Sequence, residues 1–161
     1  MVTNKGCASI AAALWLACGA ALAQDDALER AAGEPGAVRT DSGLVYRVLK
    51  EGTGKQPNAT DRVRVHYRGT FPDGREFDSS YRRGEPAEFP LNRVIRCWTE
   101  GVQRMKVGTK AKLTCPPAIA YGERGAGGVI PPNAVLQFEV ELLAIVAPGI
   151  DPAQAPAGAR K

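Results

Sequence analysis

The chain has 161 residues, a formal net charge of +4 at pH 7 and 24% charged residues. This length accommodates one domain and leaves little room for a second, since typical domains hold roughly 100 to 150 residues. The basic residues alternate with acidic ones instead of forming a stripe, so nucleic acid is not expected as a partner.

The N-terminal segment has the pattern of a secretory signal. Lys5 precedes an apolar run over residues 10–22, which is closed by the Ala-Leu-Ala of residues 21–23 and followed by Asp25 and Asp26. This pattern predicts a signal peptide over residues 1–23 and a periplasmic protein. The run is shorter than the roughly 18 apolar residues that span a bilayer, so no stable membrane insertion is predicted. Lipoprotein anchoring through Cys18 is the minor alternative, because bulky residues precede that cysteine.

Two further segments lack the periodic apolar residues of a packed element. Residues 24–41 are dominated by Ala, Gly and charged residues, and residues 147–161 are rich in Pro and Ala. Such compositions bury too little apolar surface to offset the entropy of ordering the chain. We therefore expect a flexible N-terminal segment and a flexible tail on either side of a folded domain over residues 42–146.

Apolar and polar residues alternate in three segments of this domain. In "DRVRVHYRG" (61–69), "KAKLTC" (110–115) and "VLQFEVELL" (135–143) the apolar residues recur at every second position, which is typical of antiparallel strands with one buried face. In "RCWTEGVQRMKVG", Trp98, Val102 and Met105 recur at helical spacing instead, which predicts one short amphipathic helix. Half-exposed strands and a single helix able to cover their apolar face predict an α+β domain.

The usual catalytic and metal-binding patterns are missing from the sequence. His66 is the only histidine, and strand alternation puts it on the polar outer face, so neither a zinc site nor a nucleophile triad is predicted. The glycine-rich stretch "AYGERGAGGVIPPNA" (120–134) lacks the Gly-Lys-Ser/Thr ending of a phosphate-binding loop, and the prolines that follow cannot start a helix. No metal or cofactor is expected.

What the sequence has in surplus is aromatic and branched apolar residues near strand ends and loops. Each one alone could belong to the core, whereas together they could line an apolar pocket with few polar groups. The set comprises Tyr67, Phe77, Phe89, Val94, Ile95, Trp98, Tyr121, Ile130 and Phe138.

Three motifs carry a resemblance to a known family. "VHYRGTFPDGREFDSS", "VIRCWTEGVQRMKVGTKAKL" and "AYGERGAGGVIPPNAVLQFEVELL" resemble, in order and spacing, the FKBP-type peptidyl-prolyl cis-trans isomerases, over about residues 42–146. They are similar to exported bacterial single-domain members, related to the catalytic domain of macrophage infectivity potentiator-type proteins. The resemblance implies a curved antiparallel β-sheet wrapped over one short α-helix, with a proline-binding pocket between them.

The resemblance also implies roles for individual residues. The hydroxyl of Tyr121 and the backbone N–H of Ile95 would hydrogen-bond substrate carbonyls, and Asp78, paired with Arg83, would be the one charged wall. Trp98 would form the pocket floor. The other implied substrate-binding residues are Tyr67, Phe77, Phe89, Val94, Ile130 and Phe138.

The implied activity is faster rotation about X-Pro bonds in exported proteins while they fold, without covalent catalysis. Its implied partners are proline-containing unfolded or partly folded polypeptides and macrolide inhibitors. Relatives that dimerise use a long helical N-terminal domain, and fewer than 20 residues separate the predicted signal from the domain here, so a monomer is predicted. The alternative is a binding module that keeps the fold but acts as a holdase or adaptor.

Two positions depart from the family pattern. Ala87 stands two residues before Phe89, where many relatives have an aromatic residue, so the pocket should be more open on that side. Cys97 replaces the glycine that is usual before Trp98. Cys115 faces the core by strand alternation and Cys97 begins the covering helix, so the two are either bonded or free buried thiols. Export favours the disulfide.

Overall fold

The structure is a computed structural model that describes residues 19–146. Most of the predicted signal peptide (1–23) and the whole predicted tail (147–161) lie outside the described residues. The helices are α1 (Gly19–Ala32), α2 (Ser80–Arg83) and α3 (Arg96–Gln103). The strands are β1 (Ala37–Arg39), β2 (Val45–Lys50), β3 (Arg62–Thr70), β4 (Glu76–Ser79), β5 (Ala87–Pro90), β6 (Lys110–Cys115) and β7 (Leu136–Val146).

The strands form one antiparallel sheet. Its order is β1-β2-β6-β7-β3-β4, and β5 also pairs with β3. Both β4 and β5 pair along the same edge of β3, β4 with its C-terminal half and β5 with its N-terminal half. The chain leaves the sheet between them to form α2. This interruption brings the side chains of α2 next to the middle of β3.

The core lies between one face of the sheet and α3. In β3, Val63, Val65 and Tyr67 are buried and alternate with more exposed residues, as the sequence predicts. Helix α3 buries Trp98 and Val102 against this face. The predicted α+β fold, with an antiparallel sheet covered by a short helix, is confirmed. The other two helices were not predicted.

Residues 24–41, for which the sequence predicts no helix or strand, contain the C-terminal part of α1 and the whole of β1. Helix α1 runs to Ala32, β1 follows it, and Ala27, Leu28 and Ala31 are buried against Val45 and Val135 on the opposite face of the sheet from α3. Small side chains let the helix lie close to the sheet, so little apolar surface is needed to hold it.

Ion pairs fix the connection after α1. Glu34 accepts hydrogen bonds from Lys112 at 2.7 Å and from Arg47 at 2.6 Å, and Arg39 on β1 pairs with Glu29 at 2.6 Å. The hydrogen bond from Lys112 and the two positive charges lower the pKa of Glu34 despite its partial desolvation. The segment is therefore attached to the sheet by both apolar and charged contacts.

Leu28 provides a test of this attachment. The Leu28 side chain is 7% exposed, so Leu28→Ala should lower the free energy of unfolding by about 2 kcal/mol, the lower end of the range for buried leucines. Val38→Ala on β1 is the control, because Val38 is 55% exposed and its loss should cost less than about 0.5 kcal/mol. Equal unfolding midpoints for the two variants in urea would show that α1 does not pack on the sheet.

Candidate active site

A cavity of about 320 Å³ opens between the sheet and the N-terminal end of α3. This volume is within the usual range of small-ligand pockets, roughly 300 to 1,000 Å³. The residues that line it are Tyr67, Phe77, Asp78, Phe89, Arg93, Val94, Ile95, Trp98, Tyr121 and Phe138. The sequence predicts a role in the site for every one of these residues except Arg93.

Trp98 forms the base of the cavity. It is 4% exposed, and three aromatic rings stand edge-on to its indole at centroid distances of 5.2 to 5.6 Å. These rings belong to Tyr67, Phe89 and Phe138. Edge-to-face contacts of this kind are favourable because the positive ring edge meets the negative ring face. The aromatic walls therefore hold the indole in one orientation.

A glycine in β3 makes room for the aromatic wall. A Cβ atom at Gly69 would lie 2.6 Å from the ring of Phe77 and 3.0 Å from that of Phe138. Because Gly69 has no side chain, these two rings can meet edge-to-face at a centroid distance of 5.6 Å. Glycine inside a strand often marks such a close approach, and this signal was available in the sequence.

One corner of the cavity is polar. Asp78 accepts a hydrogen bond from the Tyr67 hydroxyl through one carboxylate oxygen and from Arg83 at 2.5 Å through the other. Arg83 also donates to the Tyr67 hydroxyl at 3.0 Å, and its guanidinium lies 5.5 Å from the centre of the Tyr67 ring. Arg83 is in α2 and does not line the cavity, so its contact with the site is through these two residues.

The hydrogen bonds of this corner fix its ionisation. Desolvation raises the pKa of Asp78, but the hydrogen bonds from Tyr67 and Arg83 and the positive charge of Arg83 outweigh it, so the pKa lies below its ordinary value. Burial, and then the hydrogen bond to Asp78, raise the pKa of Tyr67. Since the folded pKa of Asp78 is below the unfolded one, the carboxylate stabilises the fold at neutral pH. That stabilisation is lost as the pH falls through the folded pKa.

Two hydrogen-bond donors stand at the cavity without acceptors among the described residues. The hydroxyl of Tyr121 is one, and the backbone N–H of Ile95 is the other. Burial, and then the charge of Asp78, raise the pKa of Tyr121, which keeps its hydroxyl a neutral donor at pH 7. Both groups can therefore donate to carbonyl oxygens of a bound ligand.

The loop that carries Tyr121 is closed on itself. Gly125 has φ of +62°, and a Cβ atom there would lie 2.2 Å from the carbonyl oxygen of Ile130. Glycine is needed at this position because the backbone of Ala126 pairs with that of Ile130 directly beside it. The closed loop holds Tyr121 over the cavity mouth, where its side chain remains 40% exposed.

The cavity lining omits one residue of the predicted set and includes one residue outside that set. Ile130 does not line the cavity; its side chain belongs to the buried core cluster and is 8% exposed. Arg93 does line it, although the sequence motifs gave no reason to select this residue. Arg93 ends a single 3₁₀ turn between β5 and α3, and such a turn has no periodicity that a sequence pattern reveals.

A disulfide joins the pocket floor to the sheet. Cys97 and Cys115 are bonded, with their Cα atoms 5.8 Å apart, and both side chains are fully buried. Cys97 directly precedes Trp98 at the start of α3, and Cys115 is the last residue of β6. The bond therefore attaches the N-terminal end of the helix to the strand on which it packs.

His66 lies outside the site. Its ring stacks on Tyr81 at a centroid distance of 4.7 Å, and its Nδ1 is 3.0 Å from the Ser80 hydroxyl, on the outer face of the sheet. Across residues 19–146, no group of three or more potential metal ligands is found. Within the same range, no helix is long and apolar enough to cross a membrane.

An antiparallel sheet covered by a short helix, with an aromatic pocket between them, defines an FKBP-like domain. The sequence profile described as FKBP-type peptidyl-prolyl cis-trans isomerase matches residues 53–143 of the chain. The chain belongs to this family.

Individual relatives agree with this assignment. The chain is 61% identical over 120 residues to the FKBP-type peptidyl-prolyl cis-trans isomerase FkpA of Aeromonas hydrophila, covering 74% of this chain and 44% of the relative. It is 56% identical over 119 residues to an FKBP-type 22 kDa peptidyl-prolyl cis-trans isomerase of Escherichia coli, covering 74% of this chain and 58% of the relative. The match therefore spans about half the length of these curated relatives.

Solved structures share the fold. The crystal structure of FkpA from Escherichia coli has a TM-score of 0.75 at 46% identity, covering 78% of this chain and 58% of that one. A peptidyl-prolyl cis-trans isomerase from Pseudomonas syringae pv. tomato has a TM-score of 0.73 at 38% identity, covering 78% of this chain and 92% of that one.

Proposed function

We propose that this protein accelerates cis-trans rotation about X-Pro bonds in polypeptides by binding the proline in the cavity above Trp98. The observation that carries the proposal is the cavity itself, with aromatic walls, one internally paired carboxylate and two donors without acceptors among the described residues. The family to which the chain belongs supports the same activity.

The reaction needs no proton transfer and no covalent intermediate. Rotation about the bond is slow because the resonance of the amide must be lost, which creates a barrier of about 18 to 20 kcal/mol. The twisted amide is less dipolar than the planar one, so it loses less on leaving water for an apolar cavity. Each additional stabilisation of the twisted state by about 1.4 kcal/mol, relative to the planar state, makes rotation tenfold faster.

The polar groups would hold the polypeptide while one amide turns. The hydroxyl of Tyr121 and the N–H of Ile95 would donate to carbonyl oxygens on either side of the rotating bond. Asp78 is the third residue to which we assign a catalytic role, because its charge stands beside the cavity and influences the Tyr121 hydroxyl. Its pairing with Tyr67 and Arg83 fixes its position.

Tyr121 provides the first test of this activity. Tyr121→Phe should lower kcat/KM on a proline tetrapeptide about tenfold, since it removes one hydrogen bond worth about 1 kcal/mol or somewhat more. Tyr81→Phe is the matched control, because Tyr81 is similarly exposed, at 43%, but lies on the outer face of the sheet beside Glu141. Equal losses in the two variants would contradict the role of Tyr121.

A double variant separates catalysis from simple binding. Combining Tyr121→Phe with Asp78→Ala should reduce turnover further. If the unmodified protein suppressed aggregation of an unfolded client but turned over no proline peptide, the holdase alternative would replace the proposal.

Four further properties remain predictions that accompany this function. We propose that the protein acts in the periplasm, assists exported proteins during folding, is a monomer and binds macrolide inhibitors in the same cavity. Fractionation of expressing cells tests the location, and light scattering of the purified chain tests the monomer. Competition between a macrolide and a proline peptide tests the shared cavity.

A further inference from the structure

Arg93, the arginine that lines the cavity, differs from most arginines of the described chain in having no acidic partner. Most arginines of the described chain lie within 4 Å of a carboxylate: Arg39, Arg47, Arg62, Arg64, Arg68, Arg75, Arg82, Arg83 and Arg104. Among residues 19–146, no such partner is found for Arg30, Arg93, Arg96 and Arg124. Arg93 and Arg96 flank Ile95, and Arg124 follows Tyr121 by three residues.

Arg93 is the one of these that lines the cavity itself. It is exposed and donates no hydrogen bond within the described residues. The only carboxylate that lines the same cavity is Asp78, and both of its oxygens are already engaged, by Tyr67 and Arg83. The cavity wall therefore presents an arginine whose charge no residue of the site neutralises.

We infer that Arg93 is a specificity-determining residue that pairs with a carboxylate next to the proline of the bound polypeptide. A guanidinium has planar donors that match the two oxygens of a carboxylate, so Asp or Glu is the side chain that it selects. Lys or Arg at the same position is disfavoured by like charge. The inference rests on the proposed function, and it defines which polypeptides that function serves best.

The pairing acts on capture of the substrate more than on the rotation. The ion pair is exposed and lies beside the rotating bond, so it stabilises the bound substrate and its twisted state alike. We therefore expect the ion pair to lower KM and raise kcat/KM for an acidic peptide, with kcat nearly unchanged. Because exposed charges are screened by salt, the preference should weaken as ionic strength rises.

Peptides with and without a carboxylate test the inference on the purified chain. Proline tetrapeptides with acetylated and amidated ends carry Glu, Gln or Lys either directly before or directly after the proline. At low salt, the Glu peptide should exceed its Gln isostere about two- to fivefold in kcat/KM for at least one position, the range of exposed ion pairs. Near 1 M salt, where the screening length is about 3 Å, the ratio should approach one.

Substitutions assign the preference to Arg93. In Arg93→Gln the Glu-to-Gln ratio should fall to about one, whatever the variant's turnover of the Gln peptide itself. Arg39→Gln removes the same charge from β1, where Arg39 pairs with Glu29, and should leave the ratio unchanged. The inference is overturned if the Glu-to-Gln ratio is near one in the unmodified protein. It is also overturned if Arg93→Gln keeps the ratio, or if Arg39→Gln lowers the ratio equally. If the unmodified protein turned over none of the peptides, the proposed function itself would fail.

Discussion

Replacing Trp98 with leucine should lower kcat/KM on a proline peptide by about 100-fold. The indole is the cavity floor, and its orientation is fixed by edge-on contacts with Tyr67, Phe89 and Phe138. Leucine removes the flat surface on which a proline ring would rest and frees the three rings to move. A loss of about 2 to 3 kcal/mol of contact with the bound proline corresponds to a fall of that size. Peptide isomerisation measured at saturating and limiting substrate gives the result.

The same substitution also destabilises the fold, so a control must match that cost. Truncating a large buried side chain typically lowers the free energy of unfolding by about 2 to 5 kcal/mol. The ranges for methionine-to-alanine and for aromatic substitutions overlap. Met105→Ala is suitable because Met105 is fully buried in the same core but does not line the cavity. We expect Trp98→Leu and Met105→Ala to lose similar amounts of unfolding free energy. The kcat/KM of Met105→Ala should stay within about twofold of the unmodified protein's value. A 100-fold fall in both variants would mean that Trp98 acts through stability alone.

The strands and the covering helix could be predicted because each has one buried face. Alternation in β3, β6 and β7 follows directly from the two-residue period of a strand, and the spacing of Trp98 and Val102 follows from that of a helix. Helix α1 could not be predicted in this way. It buries two alanines and one leucine, and their partners Val45 and Val135 are distant in sequence.

The site could be predicted as a set of residues but not as an arrangement. The sequence selects Tyr67 and Asp78, while their hydrogen bond to each other and the reach of Arg83 from α2 depend on the interruption between β4 and β5. That Ile130 lies outside the cavity wall could not be predicted, because a loop residue has no alternation that fixes which way its side chain points. Arg93 was missed because exposed arginines are common, and only the structure shows which of them lack a partner.

Loss of the disulfide should lower the free energy of unfolding by about 3 kcal/mol. The bond closes a loop between residues separated by 18 positions, and the chain-entropy model gives about 3 kcal/mol for a loop of this size. For a domain of this length, that change corresponds to a fall in melting temperature of roughly 10 °C. Both sulfurs are buried, so substitution also removes packing, and a test must separate the two effects.

Comparing reduction with substitution makes that separation. Urea unfolding of the unmodified protein with a reductant retains both sulfurs and loses only the link, whereas Cys97→Ala with Cys115→Ala loses both. We expect the reductant to lower the free energy of unfolding of the unmodified protein by about 3 kcal/mol. It should leave that of the double variant unchanged. Activity at low temperature should change less than twofold, because the three aromatic contacts still orient Trp98. A large loss of activity in the folded, reduced protein would mean that the bond, and not the aromatic wall, sets the position of the pocket floor.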